Sequence, residues 1–315
     1  MEKIIKMINL NSNNIEGWHH LLEQQLEKYI SGFRDFSKNK SQLPVINLIF
    51  DPSKKIILFT KFVTDNCFEI VISDGLIEKF NYLHEEILLK LEPNITDPNL
   101  INKKNIVYKD ENSKIHFEEI MLMSLCFVLY HELGHILNGH LNYSISVENT
   151  VSVKNQRVME MDADAFATTQ LVSLTQTSND KFSVYQAILL GSIMPIVLTF
   201  ITDKREEQYN KISSGKSVHY DTQTRILHVY LVIKSYNQQV LNNIVDDFNF
   251  FTPLIDIIIT EFLEAQTTPI SNNLLFDQVD IDDCKKTIQS DNEYWLNTLE
   301  PQLEGYAYIL LYNEK

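Results

Sequence analysis

Few residues in this chain are of the kinds that interrupt regular structure. Glycine and proline number only 8 each among 315 residues, which argues against long irregular tracts and predicts an ordered, helix-rich chain. Cysteine is scarcer still. Cys67, Cys126 and Cys284 are odd in number, far apart and in no CxxC pair, which speaks against a disulfide framework and predicts reduced thiols in the cytoplasm. Any metal must then be held by His and carboxylates. Positive charge is also in short supply, with 27 Lys and Arg against 42 Asp and Glu and a net charge of −15. Nucleic-acid binding draws its affinity from clustered cations, so no nucleic-acid partner is expected. The start, "MEKIIKMINLNSNN", lacks the apolar segment and cleavage site of a secretory signal, and export is not expected. One uncharged run, residues 182–201 ("FSVYQAILLGSIMPIVLTFI"), is long enough to span a bilayer. Its Gln186, two serines, Gly191 and Pro195 favour a helix buried in a protein core over a membrane anchor.

Residues 15–33 place apolar side chains at helical spacing. "LPVINLIFD", "KKIILFTKFV" and "CFEIVISD" then read as short strands separated by turn signals, a small sheet. "GLIEKFNYLHEEILLKLEP" returns to helical periodicity. Residues 94–114 are polar and read as a surface loop, the best internal boundary. A long helix from about Ile115 to Leu141 follows, then a second from about Arg157 to Leu174. Next come the uncharged run, a polar stretch at 203–217, a helix from about Thr222 to Tyr236, and a mostly helical remainder. The expected fold is α+β, mainly α, with a small N-terminal sheet. Its divisions are 1–114, an N-terminal α/β region; 115–236, the catalytic core; and 237–315, a C-terminal helical region, unless all three form one continuous domain.

The chemistry concentrates in "LYHELGHILNGHLN", residues 129–142. His131-Glu132-Leu133-Gly134-His135 is an HExxH match, and histidines four apart share one helix face and reach the same ion. Glu132 lies to the side, where it can take a proton from a water at the metal. A catalytic zinc needs a third protein ligand. His140 follows His135 by five residues, one short of the metzincin spacing, and directly after Gly139, so it reads as a helix-end residue favoured by the helix dipole. Glu160 in "VMEMDADAFA" begins an ExxxD pair with Asp164, two carboxylates on one helical face. One can ligate while the other accepts the Nδ1 hydrogen of a ligating histidine. His131, His135 and Glu160 are therefore assigned as ligands and Asp164 as their support. Ala163, Ala165 and Ala167 would let the two helices approach closely. Asp162, about 160° around the helix from Glu160, reads as a solvated or capping carboxylate, and Cys126 as a small core residue.

HExxH followed some 25 residues later by "ExDADxxA" resembles the gluzincin metallopeptidases. The "HELGHxxxGH" form is similar to phage-exclusion peptidases of the Lit type, and to the ImmA/IrrE and membrane M48 groups. "SVHYDTQTRILHV" is similar to the HPxxxxR segment of such enzymes, with His219 and Arg225 at the matching positions and Tyr220 in place of the proline. The resemblance implies a zincin-like helical core, Zn²⁺ as cofactor, His219 beside the developing oxyanion and Arg225 organising the site. No helix-turn-helix module of the ImmA/IrrE kind is evident, and M48 enzymes carry several spans, so the Lit type fits best. That type implies a protein or peptide substrate, one particular host protein, cleaved when phage infection supplies a protein or peptide activator. The rival expectations are a zinc-binding sensor without activity and a membrane-associated protease anchored through residues 182–201.

Overall fold

The computed structural model describes residues 14–33, 43–64, 66–82, 113–148, 150–173, 188, 191–196, 198, 222–240, 278–309 and 311. The first helix, α1 (Ile15–Phe33), is amphipathic and buries Trp18, Leu21 and Leu22. Asn14 caps it: its Oδ1 accepts from Gly17 N at 2.9 Å, which satisfies one of the amides a helix start leaves without an intrahelical partner.

Three strands follow, β1 (Val45–Asp51), β2 (Leu58–Thr64) and β3 (Cys67–Ser73), in the spatial order β1-β3-β2. β1 runs parallel to β3 and β2 antiparallel to it. The central position of β3 explains its composition: Phe68, Ile70 and Ile72 are fully buried, whereas β1 and β2 alternate between partly buried and exposed residues. β3 passes directly into α2 (Asp74–Tyr82). Ser73 makes this junction, because its Oγ accepts from Leu76 N at 3.2 Å and donates to Lys55 O at 2.7 Å. The same hydroxyl thus caps a helix and ties it to the loop before β2.

The longest helix, α3 (Ser113–Leu137), carries the HExxH motif at its C-terminal end. Residues 120–134 are buried without interruption. A helix apolar on every face must be surrounded on every face, and α3 is: one core cluster runs from Trp18 of α1 through Phe68, Ile77 and α3 to Ile233 and Ile309. Residues 120–137 are long and apolar enough to cross a membrane, but 94% of that window is buried inside the fold. Of the uncharged run at 182–201, the described positions Ile188, 191–196 and Leu198 are helical and buried. Gly191 accounts for part of this packing, since a Cβ there would sit 2.3 Å from Met123 Cβ. These described positions lie against α3.

Beyond α3 come a short α4 (His140–Ser146), α5 (Val153–Ser173), α6 (Thr222–Val240) and α7 (Gln278–Tyr294). α7 continues through a π turn (Trp295–Leu299) into α8 (Glu300–Leu303). The C-terminal segment packs on α5 through a second cluster formed by Val158, Met159, Met161, Leu299, Leu303 and Leu311. No disulfide joins the three cysteines, and Cys126 is buried. The fold is α+β and mainly α, as expected. Of the loop expected at 94–114, Ser113 and Lys114 already belong to α3; its remainder, the polar stretch expected at 203–217, the far part of the helix expected after Gly75, and His219 with Tyr220 lie outside the described residues.

Candidate functional site

The site forms where the end of α3 meets α5. These helices approach closely because small residues face each other. A Cβ on Gly134 would lie 3.2 Å from Ala163 Cα. Ala163 and Ala167 are buried, while Ala165 is only partly so. That contact sets Glu160 opposite the two histidines. His131 Nε2 and His135 Nε2 are 3.1 Å apart, His131 Nε2 lies 3.3 Å from Glu160 Oε2, and His135 Nε2 lies 3.4 Å from Glu160 Oε1. Among the described residues these three form the one group of His, Cys, Asp or Glu side chains with donor atoms gathered closely enough to hold a metal ion.

Behind His131 stands a second layer of polar contacts. Its Nδ1 is 2.9 Å from Asp164 Oδ1. Asp164 in turn receives both arms of Arg225 from α6, Nε to Oδ2 at 2.9 Å and Nη2 to Oδ1 at 2.8 Å. This fork is the bidentate geometry in which guanidinium and carboxylate bind most strongly. All three side chains are buried. Burial alone would raise the Asp164 pKa, but the Arg225 guanidinium and His131 together hold its carboxyl well below the usual carboxylate range. Burial likewise opposes a charged His131, yet the hydrogen bonds to Asp164 and Glu160 outweigh it and raise the imidazole to about 10. The carboxylates thus favour positive charge at this spot. The structure brings Asp164 and Arg225 together behind His131.

Glu132 is buried beside the histidines, and a residue of the sheet reaches it: Thr60 Oγ1 on β2 donates to Glu132 Oε2 at 2.5 Å. Nothing in the sequence flagged Thr60, since a threonine on an edge strand is an ordinary β-former and its partner is 72 residues away. The contact brings β2 to the rim of a cavity of about 660 Å³. Leu58, Phe80, Phe127 and Leu198 line its apolar part, and His131, Glu132, His135 and Glu160 its polar part.

Two residues differ from expectation. His140 is not at the C-terminus of the HExxH helix, where the helix dipole would favour it. Gly139 ends α3 in the left-handed region at φ 83°, and His140 becomes the first residue of α4, 1% exposed. Burial pushes its pKa below the usual value. Its Nδ1 is 3.0 Å from His135 Nδ1 and its Nε2 is 3.1 Å from Asp162 Oδ2. Asp162 is not a solvated carboxylate either, because Asn138 Nδ2 donates to its Oδ2 at 2.5 Å. The angular reading of α5 taken alone placed Asp162 away from Glu160 correctly but could not show that the end of α3 passes over that side. His219 lies outside the described residues.

The model of the peptidase U49 family matches residues 75–244, more than half of the chain. The matched span contains α2 through α6, and with them His131, Glu132, His135, Glu160, Asp164, His219 and Arg225. No curated protein and no solved structure shows a match to the chain. The HExxH helix, the facing carboxylates and the cavity beside them all fall within or against that span, and the chain belongs to the peptidase U49 family, a peptidase whose substrates are proteins or peptides.

Proposed function

We propose that the protein is a zinc-dependent metalloendopeptidase of the gluzincin type, with His131, His135 and Glu160 as metal ligands. One observation carries this reading. A tetrahedral zinc with bonds of about 2.0–2.1 Å sets neighbouring ligand atoms about 3.3–3.4 Å apart, and the three contacts among these side chains measure 3.1, 3.3 and 3.4 Å. Two imidazoles and one carboxylate are also the donor set of catalytic rather than structural zinc, leaving a fourth position open. Bound there, the ion supplies Lewis acidity, polarising the scissile carbonyl and lowering the pKa of a water.

The chain's own residues perform the proton transfers. Glu132 takes the proton that a water releases as its oxygen attacks the carbonyl carbon. It then delivers that proton to the amide nitrogen as the C–N bond breaks, and the acid's remaining proton passes to the amine, so that an ammonium and a carboxylate leave. Thr60 holds one oxygen of this carboxylate. Asp164, itself held by Arg225, accepts the Nδ1 hydrogen of His131 and keeps Nε2 unprotonated toward the metal. His219 is assigned to the developing oxyanion. The finer likeness is to the Lit-type phage-exclusion peptidases, for which the ExxxD arrangement and the Arg225 position speak. On that reading one host protein is cleaved in the cytoplasm, when an activator is present.

The test is Glu132→Gln. The variant is expected to retain one zinc per chain by elemental analysis while hydrolysis falls by about 10²–10⁴-fold, read as new protein termini in cells expressing each form. Full activity in a zinc-loaded Glu132→Gln variant would overturn the mechanism, and purified wild type without zinc would overturn the metal assignment.

A further inference from the structure

We propose that His140 is a positioning residue for His135, and that the charge of Asp162 favours its Nε2–H tautomer, so that each histidine ligand is aimed by its own relay. This rests on the metal reading above. The contacts admit one arrangement of hydrogens. His135 Nε2 faces His131 and Glu160, and to ligate it must present a lone pair there. A neutral imidazole then carries its hydrogen on Nδ1. Nδ1 of His135 is 3.0 Å from Nδ1 of His140, so His135 donates and His140 accepts. The hydrogen of His140 is thereby on Nε2, 3.1 Å from Asp162 Oδ2, where the carboxylate attracts it electrostatically, without hydrogen-bond geometry. Asn138 Nδ2 donates to the same Asp162 oxygen and holds it in place.

His140 has little freedom to leave this position. Its ring meets Trp295 edge-on at 6.0 Å between centroids. Gly139 before it adopts φ 83°, and a Cβ there would come within 2.5 Å of the Tyr306 carbonyl carbon. The two relays differ in kind. His131 donates to a carboxylate that Arg225 clamps, whereas His135 donates to a neutral imidazole. A carboxylate acceptor raises ligand basicity as well as fixing orientation; an imidazole acceptor fixes orientation with less polarisation. Trp295 and Tyr306 both lie beyond residue 244, so the second relay depends on chain outside the family-matched span.

The experiment uses the full chain. Zinc affinity is measured by chelator competition for wild type, His140→Leu and His140→Gln, with thermal unfolding of each metal-free protein. His140→Leu, which lacks an acceptor, is expected to bind zinc about 10–100-fold more weakly without a matching loss of metal-free stability. His140→Gln, whose amide oxygen can accept, is expected to recover most of that affinity. Long-range ¹H–¹⁵N correlation of zinc-loaded wild type is expected to show His135 protonated on Nδ1 and His140 on Nε2. Wild type that takes up no zinc would overturn the metal reading itself. Zinc-binding wild type with the His140 proton on Nδ1, or a folded His140→Leu variant within about threefold of wild-type affinity, would overturn the positioning role alone. If His140→Leu does not fold, the tautomers of the wild type decide.

Discussion

Replacing Arg225 with Met tests whether the charge network behind His131 is an interdependent unit. Asp164 is 1% exposed, and its carboxylate is held by the two-armed contact from Arg225 and by His131. Met keeps much of the apolar volume of the arginine stem but removes the fork. Removing one member of a buried ion pair costs about 3–5 kcal/mol, because the other is left in a poorly solvating interior. Asp164→Leu is expected to cost a similar amount, since it takes away the fork's acceptor and also strands His131 Nδ1. The double variant removes both charges at once. Its remaining defect is the unsatisfied imidazole nitrogen, worth about 1–3 kcal/mol. The two single losses therefore sum to about 6–10 kcal/mol, and the double variant is expected to lose several kcal/mol less than that sum. Urea unfolding of the metal-free proteins, followed by circular dichroism, gives all four corners of the cycle. Additivity within about 0.5 kcal/mol would show that Arg225 and Asp164 do not stabilise each other, and the two-relay picture of the site would lose its better-supported half.

Thr60→Val removes the hydroxyl that holds Glu132 and is expected to lower kcat about tenfold with KM nearly unchanged, as loss of a hydrogen bond to a charged group implies. Thr60→Ser should restore it, and a Val variant with wild-type kcat would dismiss the contact as incidental. Gly139→Ala places a Cβ at φ 83° against the Tyr306 backbone; the strain is expected to destabilise the protein by about 1–3 kcal/mol, and an unchanged thermal midpoint would show that the chain relaxes there freely. Chelation should lower the unfolding free energy, with zinc at a hundredfold excess over its Kd restoring about 2.7 kcal/mol. A midpoint insensitive to both treatments would count against a resident metal.

Much of this architecture was legible because it is local. The apolar spacing of residues 15–33 gave α1 with matching ends, and β-branched and aromatic runs between turn signals gave the three strands, with β1 and β2 starting two and four residues later than expected, β2 ending one later and β3 one earlier. The pairing of His131 with His135 is written in a four-residue helical repeat, and Glu160 with Asp164 in another. What sequence reading missed depends on elements that meet only in three dimensions. Thr60 reaches Glu132 across 72 residues, and neither strand propensity nor motif spacing encodes that meeting. His140 was misplaced for a different reason. Gly139 does end α3, as a glycine in the left-handed region should, but the chain turns straight into another helix, so that His140 begins that helix and does not end α3.

The position of that turn explains why the HExxH helix can carry so apolar a sequence and still present three polar groups at one end. A helix buried on every face has no solvated side on which to place histidines, so each buried imidazole nitrogen needs a partner of its own. At His131 the partner is Asp164 from α5, and the charge of that carboxylate is balanced by Arg225 from α6. At His135 no such carboxylate stands behind the ring; the partner is His140, delivered by the reversal at Gly139 and covered by the C-terminal segment. Tyr308 N donates to Leu137 O at 2.9 Å, closing the last turn of α3 from the same side. The elements outside the family-matched span are thus part of how the site is built: β2 reaches Glu132, and the C-terminal segment holds the end of the helix from which His135 projects. The HExxH motif supplies two clustered imidazoles, and the satisfaction of their outer nitrogens dictates how much additional chain must close around them.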